Sequence, residues 1–116
     1  MADVVYLIHD MLFSSKVREV AKTTGVSVQG AREPAAFAAA ARDAKLAIVD
    51  LRLPAALEAL DALAAEPGNG VRTIGFIDHE RTDVMDAARA KGCADVMAKG
   101  QFATALPKLL AALAPK

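Results

Sequence analysis

The chain has 116 residues, 54% hydrophobic and 24% charged, which is one domain's length with enough apolar material for a packed core. Its 14 basic and 14 acidic residues balance to zero formal charge, with no basic stripe for nucleic acid and no polybasic run for a membrane surface. Cys93 is the one cysteine, which excludes an internal disulfide and a thiolate zinc site, and no apolar run reaches spanning length.

Val4-Val5-Tyr6-Leu7-Ile8 reads as a first strand, closed by His9-Asp10. That run is too short for a signal peptide, and Met1-Ala2-Asp3 offers no positive leader, so a cytoplasmic address is expected. Ser14 and Ser15 are capping residues for a helix from about Ser15 to Thr24, and Gly25 suits its left-handed stop. Val26-Ser27-Val28 reads as a short second strand. Pro34, behind Glu33, suits a first helical position, and an alanine-rich helix follows over 35–44. Leu46–Asp50 is a third strand. Pro54 opens a helix carrying Leu57, Leu60 and Leu63, which Glu66-Pro67-Gly68-Asn69-Gly70 breaks. Val71–Ile77 is the fourth strand, ending at Asp78. A helix from about Thr82 to Lys91 stops at Gly92, and Ala94–Ala98 is a short fifth strand. The last helix, over 102–113, carries the stripe Phe102, Leu106, Leu109, Leu110 and Leu113. Pro107 belongs in its first two turns, or else kinks it.

Strand and helix alternate five times without linker, repeat or low-complexity segment, so residues 1–116 read as a single α/β domain with a parallel sheet and helices on both faces. Open sheets of this kind place their sites at the C-terminal strand edge. There Asp10, Asp50, Asp78 and Lys99 each close a strand.

On these residues the chain resembles a receiver (response-regulator) domain over nearly its whole length. The resemblance implies a (βα)5 doubly wound, flavodoxin-like sheet of order 2-1-3-4-5. It implies that Asp50 stands at the phosphoacceptor position, with Pro54 four residues on, Asp10 at the second acidic position and Lys99 at the lysine. Four family positions are altered. His9 replaces the first acid, Ile77 the switch Thr or Ser, Val96 the switch aromatic, and Gly100 the proline after the lysine.

The reaction implied needs a carboxylate nucleophile, a magnesium ion, and a lysine and a hydroxyl on the phosphoryl oxygens. Asp50 is the candidate phosphoacceptor, and Asp10, Asp50 and the Arg52 backbone carbonyl are the candidate metal ligands. Lys99 is a phosphate-binding or ion-pair residue, with Asp50 or Asp10 as its partner. His9 weakens the magnesium site by removing an anion, although Asp78 on the neighbouring strand end can restore one. No cofactor is firmly implied. Ile77 offers no hydroxyl and Val96 no ring, so the usual readout lacks a differential contact.

Plainer roles accompany these. Asp50 also reads as a strand-end acid paired with Lys99, Asp10 as an N-terminal cap or ion-pair residue, His9 as a partly buried hydrogen-bonded histidine, and Arg52 as a solvated rim residue. Cys93 packs as a small hydrophobe. His79 and Glu80 are loop residues over the site. Of Met11, Leu12 and Phe13, at least one packs into the core, and the others cover the site or meet a partner.

The reading is a stand-alone pseudo-receiver in two-component signalling, not an enzyme, acting through protein–protein contacts. Its partner surface is the face of the fourth helix, fifth strand and fifth helix, with Val84, Met85, Asp86 and Arg89. A protein partner is expected, with neither nucleic acid nor membrane, and a homodimer stays open. One alternative is a magnesium-dependent response regulator phosphorylated on Asp50. Another is a small ligand-binding or enzymatic α/β domain using the same crevice with His9, Asp10 and Lys99. Against the latter, no glycine-rich phosphate loop follows the first strand.

Overall fold

The computed structural model describes residues 2–66, 71–78 and 80–114. The expected break at Pro67-Gly68-Asn69-Gly70 and the loop residue His79 lie outside the described residues. The elements run β1 (Val4–Leu7), α1 (Met11–Thr24), β2 (Val28–Ala31), α2 (Pro34–Ala41), β3 (Leu46–Asp50), α3 (Ala56–Ala64), β4 (Arg72–Ile77), α4 (Thr82–Ala90), β5 (Asp95–Ala98) and α5 (Lys99–Ala111). The five strands pair in parallel in the order β2-β1-β3-β4-β5, as expected.

Side-chain alternation sorts the strands onto two faces. Val5, Leu7, Ala47, Val49 and Ile77 join the cluster under α2, α3 and α4. Val4, Tyr6, Leu46, Ile48, Ile74 and Phe76 join Val17 and Ala21 of α1 and Phe102, Leu106 and Leu110 of α5 on the other face. In phase with Leu46 and Ile48, the Asp50 side chain belongs to the α1/α5 face, and Asp50 stands opposite Phe76 in register.

Several boundaries differ from expectation, and four of the differences have a local reason. Helix α1 starts at Met11 because the Asp10 carboxylate caps it, accepting from the Phe13 N–H at 3.1 Å. Ser14 is therefore inside the helix and donates its hydroxyl to the Met11 carbonyl at 3.3 Å. Strand β2 starts only at Val28, because Gly25 (φ 79°) turns the chain and Val26 is held by the Ala21 carbonyl at 3.0 Å. Helix α3 begins two residues past Pro54, after a turn closed by Leu53 N–H to Asp50 O at 3.2 Å. Helix α5 begins at Lys99, directly after β5, and includes Gly100. Pro107 consequently lies in its third turn, and the stripe Phe102, Leu106 and Leu110 is fully buried.

Candidate functional site

Asp50 ends β3 on the α1/α5 face and is only 2% exposed. Past it, the Leu51 N–H still pairs with the Phe76 carbonyl at 2.9 Å, and the turn then returns the chain so that Arg52 folds back over Asp50. The Arg52 guanidinium donates through Nε to Asp50 Oδ1 at 2.9 Å and through Nη2 to Asp50 Oδ2 at 2.8 Å. The Arg52 backbone N–H adds a 3.0 Å bond to Oδ1. This is the planar two-point match between guanidinium and carboxylate. The same Nη2 also reaches Asp10 Oδ2 at 3.3 Å, so one cation bridges both carboxylates. Arg52 is thus not a solvated rim residue: its side chain is 27% exposed and is the central cation of the site.

Aromatic rings form the floor. The guanidinium carbon lies 5.2 Å from the Phe13 ring centre and 5.7 Å from that of Phe76. Phe13 packs on Phe76 at 4.9 Å, and Phe76 stacks on Phe102 at 4.5 Å. Phe13 is therefore the member of the Met11-Leu12-Phe13 trio that packs inward. Met11 and Leu12 remain 79% and 75% exposed.

These contacts set the proton affinities. The Asp10 carboxyl is held below its ordinary value, first by the Phe13 backbone N–H, with the Leu12 N–H and Arg52 adding to it against partial desolvation. Arg52 is raised further by its hydrogen bonds to Asp50. Cys93 packs into the α2–α4 cluster, and burial pushes its thiol up to about 11.

Lys99 pairs with neither Asp50 nor Asp10. Its Nζ lies 2.7 Å from Asp78 Oδ1, at the next strand end. Asp78 therefore does not supply a spare anion, since Lys99 offsets its charge. His9 is exposed rather than partly buried, and turns away from the carboxylates to donate its Nε2 proton to the Arg32 carbonyl at 2.9 Å. Ile77 is 2% exposed and sits in the α2–α4 cluster, where Val96 also packs. On α4, Val84 and Met85 are half-buried against the same cluster, while Asp86 and Arg89 pair at 3.3 Å on the surface.

The arrangement does not fit a magnesium ion. That ion wants oxygen ligands in an octahedron completed by several waters. Here the guanidinium lies between Asp10 and Asp50, and two phenyl rings flank it. Among the described residues, no group of three His, Cys, Asp or Glu side chains is placed to hold a metal. None of the described helices is long and apolar enough to cross a membrane.

The sequence pointed to the Arg52 backbone carbonyl and not to its side chain, and it did not reveal the phenyl floor. The signal for the Arg52 side chain was present: an aspartate that ends a strand accepts the backbone N–H two residues on, which turns that residue back over its carboxylate. The phenyl floor is formed by residues from three separate elements, and spacing along the chain does not bring them together.

No protein-family model matches the sequence, and no curated protein matches it. Solved structures do. The receiver domain of the sensor histidine kinase PA1611 from Pseudomonas aeruginosa PAO1, which holds a magnesium ion in its active-site cleft, is similar at a TM-score of 0.75 and 16% identity, over 94% of this chain and 93% of that one. A response regulator from Hahella chejuensis gives 0.73 and 20%, over 97% and 92%. The receiver domain of NtrX from Brucella abortus gives 0.75 and 18%, over 92% and 93%. The fold of this chain is the response-regulator receiver fold.

Proposed function

We propose that this chain is a divergent receiver domain that signals through protein–protein contacts without aspartyl-phosphate switching. The observation that carries the reading is Ile77. At the position where a receiver carries its switch hydroxyl, this chain has a fully apolar side chain, 2% exposed and packed under α2, α3 and α4. It cannot donate to a phosphoryl oxygen, and Val96 beside it has no ring to follow. A ligand shifts a two-state element only through contacts that differ between the states. Here both halves of that element are apolar and already packed.

In this reading residues 1–116 act as one domain in a two-component pathway, in the cytoplasm, with a protein as partner and no reaction of its own. The partner face is α4–β5–α5, where Asp86 and Arg89 are the polar contacts and Val84 and Met85 lie half-buried beneath. A small-ligand role is disfavoured, because Phe13 and Arg52 fill the crevice beside Asp50.

The second reading, an active phosphoacceptor, is favoured by Asp50, Asp10 and Lys99 at their family positions. Intact-protein mass after incubation with acetyl phosphate, with and without magnesium, separates the two. No gain is expected. A magnesium-dependent gain of one phosphoryl group, absent in Asp50→Asn, would overturn the proposal.

A further inference from the structure

We infer that the Arg52 guanidinium is the resident cation of this acidic site, and that it excludes magnesium from the Asp10–Asp50 pair until its side chain is withdrawn. This deepens the reading above and rests on it in taking Asp10 and Asp50 as the acidic pair of a receiver site. The two fail separately, since phosphoryl gain reads chemistry at Asp50 and cation occupancy reads the place of Arg52.

Three observations converge. The first is occupancy. Both Asp50 oxygens accept from the guanidinium at 2.8 and 2.9 Å, and Asp10 Oδ2 accepts at 3.3 Å, so the inward lone pairs a metal needs are engaged. The second is charge. Arg52 offsets one of the two carboxylates and Lys99 offsets Asp78, leaving one net negative charge across these five side chains. His9, turned toward the Arg32 carbonyl, contributes no anion. The third is the wall. Phe13 and Phe76 lie 5.2 and 5.7 Å from the guanidinium carbon and offer no oxygen to a hydrated ion's water shell, while their faces attract a guanidinium. The guanidinium is also the more weakly hydrated cation, so it loses less on entering this half-buried place. Release requires only side-chain rotation, because the Arg52 backbone N–H keeps its own 3.0 Å bond to Asp50.

The test is magnesium chloride titration of the nitrogen-15-labelled chain at constant ionic strength, following the amide signals of Asp10, Met11, Leu51 and Arg52. The wild type is expected to stay silent to about 10 mM, and Arg52→Gln to show saturable shifts at those amides with at least about tenfold tighter apparent affinity. Adding Asp10→Asn to Arg52→Gln is expected to abolish the response. Equal shifts in wild type and Arg52→Gln would overturn the inference, as would silence in both. Arg52→Lys, which keeps the charge and loses the two-point fork, provides a second comparison if Arg52→Gln loses its dispersed spectrum. A lysine variant that binds magnesium more tightly than wild type supports the inference, and one as silent as wild type overturns it.

Discussion

Asp10 does two things at once: it caps α1 through the Phe13 N–H and it holds the outer end of Arg52. Both contacts favour the ionised form, so its folded pKa lies below the ordinary 3.8. A depressed carboxylate stabilises the fold above its unfolded pKa, and that contribution is lost as pH falls through 3.8 toward the lower folded value. Asn caps helices as well as Asp, so Asp10→Asn removes the charge and keeps the cap. Its melting temperature is expected to fall less steeply than that of wild type between about pH 5 and about pH 3. Identical slopes would assign the acid sensitivity to other carboxylates. At this scale the sequence was legible for position and less so for pairing. Asp10, Asp50 and Lys99 all stand at the strand edge as expected. Yet Lys99 turns to Asp78, because the two residues close adjacent strands and Arg52 already covers Asp50.

Elements were legible where hydrophobic runs are strong and less so where a cap or a turn sets the limit. Strand β3 is found as read, because five consecutive buried residues admit little else. Helix α1 begins earlier than Ser14 and Ser15 suggest, since the stronger cap is a carboxylate whose bond to Phe13 the hydrophobic pattern does not reveal. Helix α5 starts at Lys99 with no side-chain cap, so it had no N-terminal signal to read. Strand β4 depends on a small residue at its centre. A Cβ on Gly75 would meet Leu51 Cδ1 at 2.7 Å and Cγ at 2.9 Å, and Leu51 is itself 4% exposed. Gly75→Ala is therefore expected to destabilise the chain by about 1–3 kcal/mol in urea unfolding, by forcing Leu51 off its packing. A midpoint equal to wild type would mean that Leu51 repacks freely. The displaced side chain directly precedes Arg52, so the same variant is expected to broaden the Arg52 amide signal.

Across the whole molecule, stability rests on the two apolar layers. Two of the ion pairs that link elements, Arg72–Asp95 at 2.6 Å and Lys91–Asp61 at 2.8 Å, lie between side chains at least partly exposed to solvent and contribute little each. Alternation of strand and helix made the layered sheet legible, while the strand order came from the family resemblance. That order also bears on how the chain assembles. Strand β1 lies inside the sheet, between β2 and the central β3, so its pairing with β3 closes across the 42 residues from Val4 to Leu46. From β3 onward each strand adds beside its predecessor. The meeting of β1 with β3 is thus the longest closure, 42 residues against 26 for β3 with β4 and 21 for β4 with β5, and is expected to be the slow step. Truncations such as Val5→Ala or Val49→Ala are expected to slow refolding in stopped-flow experiments, whereas Met97→Ala or Leu110→Ala mainly hastens unfolding. The bridge from Arg52 to Asp10 spans that same closure, which makes the acidic site a local record of whether the first and third strands have found each other.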